Sequence, residues 1–397
     1  MTRHPVLRDP TLRLIAVALL LMGALNASVY PYQSLVGIEK IGLSEPHFAL
    51  VLVMASVVAV TASVLLGVLG DQRAGRRRIA LATATCGATG VALMLLAPGV
   101  VAMILCHGLL LPVASSLYGQ LFALARLARS EDGAVRGAIT GTVRAAMSLS
   151  FLGMLVFWKL AFGMGLDVMA VYVSALVAAV SMTTLLAIFW PKDGATAWSD
   201  RPSGLNLPAA MAEMARPKIL ARVLCLGAVA ASGNLYMVLT TLIFDASPVR
   251  DQGDVALYVG IVAGWEVPFM LLLPRIAGRM RRQTMLAWGA GLYCVHLALL
   301  PVLADHWSVW VLTLFAGLGG TAIITLPITY YQDLLAERPG TAGAMLAVQK
   351  LVSDTMAAAA FALGTTLGGF TLTAALGAGV ALTGAAGLLW IDRHRSL

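Results

Sequence analysis

The sequence predicts an all-α integral membrane protein with twelve transmembrane helices in two six-helix bundles. Of its 397 residues, 59% are hydrophobic and only 12% are charged, and the mean hydropathy is +0.87. Soluble proteins carry about a quarter charged residues. The composition therefore excludes a soluble globular protein, a disordered or fibrous chain and a nucleic-acid-binding domain. Two further observations support the prediction: the number of long apolar runs and the distribution of basic residues between them.

Twelve apolar runs are long enough to cross a bilayer, which takes about 20 residues in a helix. The first run continues through Asn26 and Gln33 without a cleavage site, so we expect a retained helix and not a secretory signal. The predicted spans are 11–35, 46–69, 79–98, 100–125, 137–160, 166–190, 218–243, 255–277, 283–303, 307–331, 341–363 and 367–391.

The basic residues indicate the orientation. With the N-terminus in the cytoplasm, 22 of the 27 Lys and Arg residues fall in inner segments, and only Lys40 and Arg250 fall in outer loops. Cytoplasmic loops carry an excess of Lys and Arg, so both termini are predicted to be cytoplasmic. The net charge of +8 then reflects topology and does not indicate an anionic partner.

The chain divides into two similar halves. A polar stretch at 191–217 separates an N-terminal bundle (1–190) from a C-terminal bundle (218–397), and it is predicted to be a cytoplasmic linker with a short helix at 205–216. The halves match at four places. Segment 67–78 matches 274–282, and segment 120–126 matches 332–338. Arg144 matches Lys350, and Asn26 matches Asn234. A repeat of six plus six spans is typical of secondary transporters, whose site lies near mid-membrane.

The loop at 67–78 reads GVLGDQRAGRRR. It resembles the signature of the major facilitator superfamily, although Gln72 adds one residue to it; a tight basic turn is the alternative interpretation. The resemblance implies the major facilitator fold. Four charged residues at the inner ends of predicted spans are expected to take part in gating: Asp71, Arg76, Arg126 and Arg338. The chain has no phosphate-binding loop, which argues against an ATP-driven pump.

Glu266 is the most informative ionisable residue. It follows Asp254 by twelve residues in the eighth span, which puts it about 18 Å deep in a helix. A charged side chain there costs roughly 2.5–3.5 kcal/mol on insertion scales, so it suggests a function. Its neighbours Trp265 and Pro268 add an aromatic ring and a helix break. We expect Glu266 to bind substrate or a proton; a structural ion pair is the alternative.

Other charged residues in the spans have two interpretations each. Arg144, with Ser148 one turn deeper, can grip a carboxylate or sugar hydroxyls, or it can be a counter-ion for a buried acid. Lys350 and Asp354 are spaced i,i+4, which favours an intrahelical ion pair. Asp333 is expected to make a gating contact with a loop arginine or to bind ligand. Asp333 and Asp354 are the further candidates for proton coupling.

Neutral polar and aromatic side chains recur on helix faces. Amides and rings suit a hydroxyl-rich ligand, although such residues also hold helices together. With Arg144 and Glu266, the predicted substrate-binding residues are Asn26, Tyr30, Gln33, Gln120, Asn234, Tyr236, Trp265, Tyr331 and Gln332. Only His107 and His296 lie well inside the predicted spans, and no nucleophile–base pair is evident. We therefore expect no metal site, no cofactor and no enzymatic activity.

Several segments resemble the sugar efflux transporter family: QLFALAR at 120–126, RAAMSL at 144–149, GWEVP at 264–268, YQDL at 331–334 and RPG at 338–340. The resemblance implies proton-linked export of sugars, glycosides or related small polar solutes across a bacterial inner membrane. It also implies roles for Gln120, Arg144, Glu266, Gln332 and Asp333. The family's Trp and Gly-Pro-Pro after the arginine are replaced by Phe151 and Gly153-Met154-Leu155, so the substrate can differ from simple sugars.

The sequence thus predicts an alternating-access transporter in the inner (plasma) membrane. Its partners are a small-molecule substrate, protons and the lipid bilayer, with no nucleic acid, and we expect a monomer. A multidrug/proton antiporter is the alternative of the same class. A non-transporting receptor or sensor is the alternative of another class.

Overall fold

The computed structural model describes residues 5–73, 75–128, 133–192, 207–250, 252–277 and 279–393. Within these ranges the chain is almost entirely helical, and eleven helices are long and apolar enough to cross a membrane. We name them α1 to α11: Pro10–Lys40, Glu45–Arg73, Arg76–Leu96, Val100–Ala128, Gly133–Gly163, Ala170–Phe189, Pro217–Asp245, Gln252–Ala277, Arg282–Leu303, Val309–Leu334 and Pro339–Ile391.

Helix α11 contains the last two predicted spans. It is 53 residues long, and its helical conformation is broken at Gly368 and Gly369, where Gly369 has a φ of +69°. Glycine adopts a positive φ without the steric penalty that a Cβ atom brings. With this break, the described residues supply the twelve crossing segments that the sequence predicts.

Helix α1 begins at a side-chain cap and is longer than predicted. Asp9 Oδ1 accepts hydrogen bonds from the backbone N–H of Thr11 at 2.8 Å and of Leu12 at 3.2 Å, which satisfies two donors that a helix start leaves open. Proline cannot donate an i→i−4 hydrogen bond. Accordingly the helix tightens to a 3₁₀ turn at Tyr30–Tyr32, around Pro31, and then widens to a π turn at Val36–Lys40.

The region between the predicted bundles contains a short helix, Leu207–Met214. It agrees with the short helix predicted at 205–216. The rest of the predicted linker lies mostly in 193–206, outside the described residues.

The chain forms two compact units. Unit 1 comprises Met1–Leu207 and Leu334–Ala347, and unit 2 comprises Pro208–Asp333 and Val348–Leu397. In unit 1, α1 packs on α5 and α6, α6 packs on α3, and α4 packs on α2 and α3. The hydroxyl of Ser28 receives hydrogen bonds from Trp158 Nε1 at 3.1 Å and from Ser174 at 2.9 Å, which ties α1 to α5 and α6. The domain boundaries given above stay a prediction.

In unit 2, α7 packs on α8 and α9 around a core of aliphatic and aromatic side chains. Glycines allow α10 to approach its neighbours. A Cβ atom placed on Gly319 would lie 2.5 Å from the carbonyl oxygen of Gly289 in α9. A Cβ on Gly317 would collide with Trp265 of α8.

A buried ion pair joins the two ends of unit 2. Arg222, near the start of α7, donates from Nε at 3.0 Å and from Nη2 at 2.5 Å to Asp392 Oδ1, just after α11. The hydroxyl of Tyr330 donates to the other carboxylate oxygen. The side chains of Arg222 and Asp392 are only 6% and 0% exposed, so the pair is shielded from water.

Candidate functional site

The carboxylate of Glu266 lies in the middle of α8, half-buried and against a glycine of α10. A Cβ atom placed on Gly320 would lie 3.0 Å from Glu266 Oε1 and 3.4 Å from Tyr293 Cε2. The hydroxyl of Thr321 donates to the backbone carbonyl of Glu266 at 3.3 Å and so holds α8 and α10 together. The missing side chain of Gly320 therefore makes room for the carboxylate and the tyrosine ring.

Aromatic rings surround this carboxylate on one side. Tyr236 of α7 and Tyr293 of α9 pack edge to face with ring centroids 5.8 Å apart, and both contact the ring of His296. Trp265, by contrast, is 40% exposed and stacks on Phe269 of its own helix. Of the predicted substrate residues, the structure thus brings Tyr236 close to the carboxylate of Glu266.

A second polar group in unit 2 joins α7 to α11. Asn234 Nδ2 donates to Ser353 Oγ at 2.7 Å and to Asp354 Oδ1 at 2.6 Å. The ammonium of Lys350 lies 2.7 Å from Asp354 Oδ2, so the predicted intrahelical ion pair is confirmed. The ammonium of Lys350 neutralises the carboxylate of Asp354, and the amide of Asn234 helps to position it.

At the end of α10, Asp333 forms an ion pair with Arg282 of α9. Arg282 Nη1 also donates to the carbonyl of Thr329 at 3.3 Å. The two roles predicted for Asp333 are a gating contact with an arginine and ligand binding, and the observed pair corresponds to an arginine contact. The neighbouring Gln332 is buried, and Tyr331 is fully buried with a hydroxyl that has no hydrogen-bond partner in the described part of the chain.

In unit 1, Arg144 is a half-buried cation on α5. Its Nη1 donates to Ser148 Oγ at 3.3 Å, which confirms that the two side chains share a face. Its Nε is buried without a hydrogen-bond partner among the described residues. No carboxylate of the described part of unit 1 forms a salt bridge with it. The guanidinium therefore keeps donor capacity within its own unit.

A histidine positions one of the predicted substrate amides. Gln33 Oε1 lies 3.2 Å from His107 Nδ1, and Tyr172 Oη lies 2.8 Å from His107 Nε2. Because the amide oxygen can only accept, Nδ1 donates to it and Nε2 accepts from the tyrosine hydroxyl. This leaves the amide N–H groups of Gln33 for other partners. Asn26 is half-buried, and Tyr30 is 38% exposed.

Asp71, at the end of α2, is the centre of a buried cluster. Arg76 Nη2 donates to Asp71 Oδ1 at 2.7 Å, and both side chains are almost fully buried. The same carboxylate accepts hydrogen bonds from the backbone N–H of Gly340 at 2.8 Å and of Thr341 at 2.6 Å, and from the Thr341 hydroxyl at 2.7 Å. It thus caps the N-terminus of α11, where a negative charge is favourable.

Glycines allow α11 to begin in close contact with α2 and α4. A Cβ atom on Gly67 would lie 2.6 Å from the carbonyl oxygen of Gly340, and one on Gly343 would lie 2.7 Å from that of Gly119. Gln120 borders this cluster, because its Nε2 donates to the carbonyl of Leu66 at 3.2 Å. Of the other two predicted gating residues, Arg126 is buried at the end of α4 and Arg338 is half-buried before Pro339.

Several partners of these groups are not evident from the sequence. Gly340 and Thr341 lie at a helix start that the sequence did not connect to Asp71. Their only local indication is a short polar stretch before an apolar run. Tyr293 and His296 are spaced i,i+3 in one span, which a search for paired aromatic residues could have found. In the described part of the chain, no three His, Cys, Asp or Glu side chains are placed to hold a metal ion.

Comparisons with known proteins give two similar sequences and a similar structure, whereas no protein-family model matches the chain. A protein of Deinococcus radiodurans named "Putative sugar efflux transporter" is 25% identical over 96% of this chain and 98% of its own length. "Sugar efflux transporter A" of Dickeya chrysanthemi is 24% identical over 73% of this chain and 72% of its own length.

The crystal structure of the human organic anion transporter MFSD10 (TETRAN) superposes with a TM-score of 0.68 at 16% identity, covering 97% of this chain and 99% of that one. Both bacterial relatives are named as transporters and the fold is a transporter fold, so the chain is not an enzyme. It is a multi-pass membrane protein. The chain has the major facilitator fold, and its predicted resemblance to sugar efflux transporters is confirmed.

Proposed function

We propose that this chain exports sugars, glycosides or related small polar solutes in exchange for protons. The observation that carries the proposal is Glu266, a carboxylate in the middle of a membrane helix that borders Gly320 and the ring of Tyr293. The names of the two similar bacterial proteins support the solute class. We place the protein in a bacterial inner membrane, as a monomer with both termini in the cytoplasm.

Glu266 is the proton carrier in this proposal. An ionisable side chain at this depth is expensive and usually functional. Asp354 is already held by Lys350, and Asp333 by Arg282. We therefore assign those two carboxylates to ion pairs within unit 2.

Substrate recognition uses hydrogen bonds and aromatic faces. The Arg144 guanidinium and the amide N–H groups of Gln33 are donors in unit 1, and the Tyr331 hydroxyl is available in unit 2. A ligand rich in hydroxyl groups can satisfy such groups at its edges. The other substrate contacts in this proposal are Asn26, Tyr30, Gln120, Asn234, Tyr236, Trp265 and Gln332.

Alternating access needs contacts that form in one state and break in another. The cluster of Asp71 with Arg76, Gly340 and Thr341 fits this role, because it joins the start of α11 to α2 by hydrogen bonds and close backbone packing. We assign it to the gate that closes the cytoplasmic side. Arg126 and Arg338 are the further gating residues.

The test is proton movement in liposomes that contain purified protein and a pH-sensitive dye. A panel of sugars, glycosides, organic anions and cationic drugs is added to wild type, Glu266→Gln and Glu213→Gln. Glu213 lies in the short helix Leu207–Met214, outside the membrane-spanning helices, so its substitution is a matched carboxylate-to-amide control.

We expect a sugar or glycoside to trigger proton movement in wild type and Glu213→Gln, and at least a tenfold loss in Glu266→Gln. A signal from cationic drugs alone would identify a multidrug antiporter. Solute binding without flux would identify a receptor or sensor. An unchanged signal in Glu266→Gln would exclude Glu266 as the carrier.

A second candidate is the export of an anionic sugar derivative or another small organic anion. It is favoured by the buried Arg144 Nε, which has no hydrogen-bond partner among the described residues. A guanidinium binds a carboxylate through two parallel hydrogen bonds. Under this alternative, wild type transports the acid but not the neutral sugar of the same size. Arg144→Gln then abolishes transport of the acid.

A further inference from the structure

The outer half of unit 2 contains a group of buried polar atoms with no partners. His296 of α9 is 0% exposed, yet neither ring nitrogen has a hydrogen-bond partner among the described residues. The same is true of the Tyr258 hydroxyl of α8 and the Thr240 hydroxyl of α7. Burying such a group unpaired costs about 1–3 kcal/mol, and most buried polar groups are satisfied by protein or by ordered water.

His296, Tyr258 and Thr240 belong to one continuous group of side chains, which we call the column. The ring of Tyr258 stacks on His296, with centroids 6.0 Å apart and planes 22° apart. Tyr236 and Phe244 of α7 contact His296 and Tyr258, respectively. Thr240 is one helical turn from each of them and therefore lies on the same face of α7.

The outer end of the column reaches a cation at the helix ends. Tyr258 contacts Trp310, with centroids 5.9 Å apart, and the guanidinium of Arg250 lies over the rings of Trp310 and Phe244. Arg250 in turn donates to the carbonyls of Ala304 and His306 in the loop after α9.

The inner end of the column reaches the side chains next to Glu266. The His296 ring contacts Tyr236 and Tyr293, with centroid distances of 5.4 and 5.2 Å. Tyr293 borders the same gap at Gly320 as the carboxylate. The titratable groups in contact with His296 are thus Tyr236, Tyr258 and Tyr293. In the described residues, α10 and α11 add apolar side chains such as Ala316, Ala357 and Ala360 to this core.

We propose that this column binds buried water molecules and conducts protons between the outer end of unit 2 and Glu266, with His296 as the relay. The inference rests on the proposed proton-coupled function of Glu266. Polar atoms on three helices that face one column are the partners that a buried water needs. An imidazole is suited to relay a proton because it accepts on one nitrogen while the other nitrogen donates.

The proton balance is simple. A proton from outside water passes to a water held by Tyr258 and Thr240, and then to one nitrogen of His296. The opposite nitrogen releases its own proton, which reaches the Glu266 carboxylate through the hydroxyl of Tyr293 or Tyr236, or through water. Each transfer breaks one O–H or N–H bond and forms another, and a flip of the ring restores the first tautomer.

The transport test uses His296→Phe, Tyr258→Phe and Thr240→Val, with Thr373→Val as the control. Thr373 is equally buried in unit 2, but its hydroxyl donates to the carbonyl of Gly369 at 2.8 Å. Two rates are measured in liposomes for the best solute of the panel above. One is proton movement triggered by the solute, and the other is solute exchange at equal pH, which needs no net proton transfer.

We expect His296→Phe to slow proton movement at least tenfold while exchange stays within twofold of wild type. Tyr258→Phe and Thr240→Val should slow proton movement about threefold or more, and Thr373→Val should match wild type. If His296→Phe does not fold, the Tyr258 variant decides the matter. Proton movement at the wild-type rate in these variants, with an unchanged or higher melting temperature, would overturn the relay.

A second measurement tests the water and is independent of transport. Hydroxyl radicals generated from bound water by synchrotron radiolysis modify the side chains that touch that water. We expect Tyr258 to be modified at least fivefold faster than Tyr172. Tyr172 is equally buried, but its hydroxyl forms a hydrogen bond with His107. Equal modification of the two tyrosines would overturn the water site.

The results also separate the relay from the proposed function. If Glu266→Gln abolishes proton movement and His296→Phe does not, only the relay is wrong. If wild type moves no protons with any solute of the panel, both proposals are wrong.

Discussion

The carboxylate of Asp71 accepts a hydrogen bond from the backbone N–H of Thr341 at 2.6 Å, although 270 residues separate them in the sequence. The same carboxylate holds Arg76 in a buried ion pair. A single side chain thus neutralises a buried cation and caps the start of α11. Any movement that separates α11 from α2 must break both the cap and its charge-assisted hydrogen bonds.

Removing this carboxylate should destabilise the protein. In Asp71→Ala the buried guanidinium of Arg76 loses this carboxylate, and breaking a buried ion pair costs about 3–5 kcal/mol. We expect a clear drop in the melting temperature in detergent. Asp167→Ala is the control, because that carboxylate pairs with Lys40 at the surface, and it should change the melting temperature little. Equal melting temperatures for the two variants would contradict the role of Asp71.

The glycine contact between α4 and α11 should not tolerate a side chain. A Cβ atom in Gly343→Ala would lie 2.7 Å from the carbonyl oxygen of Gly119 and 2.8 Å from its Cα. Backbone atoms cannot rotate away, so overpacking here should cost about 1–3 kcal/mol. In Gly379→Ala the new methyl group meets open space within α11, so this control should be neutral or stabilising. Thermal unfolding of both variants provides the test.

The features predicted correctly from the sequence are those set by local spacing. The spans follow from the length of apolar runs, and the pairs Arg144–Ser148 and Lys350–Asp354 follow from the i,i+4 geometry of a helix. The predicted boundary between the last two spans, 364–366, lies close to the observed break at Gly368.

Contacts between distant helices could not be predicted in the same way. The pairing of Arg222 with Asp392 is an example, because nothing in their own segments connects these two residues. Their pairing depends on which face of α7 meets the end of α11. Nothing in the segment of His296 indicates a role for it, because its unpartnered nitrogens become evident only when the folded chain places three tyrosine rings around it.

The ion pair of Arg222 with Asp392 leads to a second stability prediction. Asp392→Ala leaves a buried guanidinium and the hydroxyl of Tyr330 without their acceptor. We expect a loss of about 3–5 kcal/mol. Replacing both charges, in Arg222→Met with Asp392→Leu, should recover most of that loss, because an apolar pair leaves no buried charge. A double variant that is less stable than Asp392→Ala would contradict this account.

The surface pair of Lys40 with Asp167 should respond to pH. The ammonium of Lys40 at 2.6 Å, together with the backbone N–H of Met169, holds the pKa of Asp167 below its usual value. A lowered pKa means that the contact stabilises the protein at neutral pH and that this contribution is lost as the pH falls through the lowered value. We expect the small difference in melting temperature between wild type and Asp167→Asn at pH 7 to disappear at acidic pH. Parallel curves would contradict the pairing.

The last prediction concerns the gap beside Glu266. A methyl group in Gly320→Ala would lie 3.0 Å from Glu266 Oε1, so the carboxylate must move away from Gly320 by a few tenths of an ångström. Because proton transfer requires hydrogen-bond distances of about 2.6–3.2 Å, we expect proton movement triggered by solute to slow roughly tenfold.

Gly291→Ala, in the neighbouring helix α9, is the matched control, since its methyl group meets nothing within 4 Å. Both variants are compared with wild type in the same liposome assay, and solute exchange at equal pH is recorded for each. Selective loss of proton movement in Gly320→Ala locates the effect at the carboxylate. Loss of exchange to the same degree would instead mean that Gly320 serves only to pack α10 against α8.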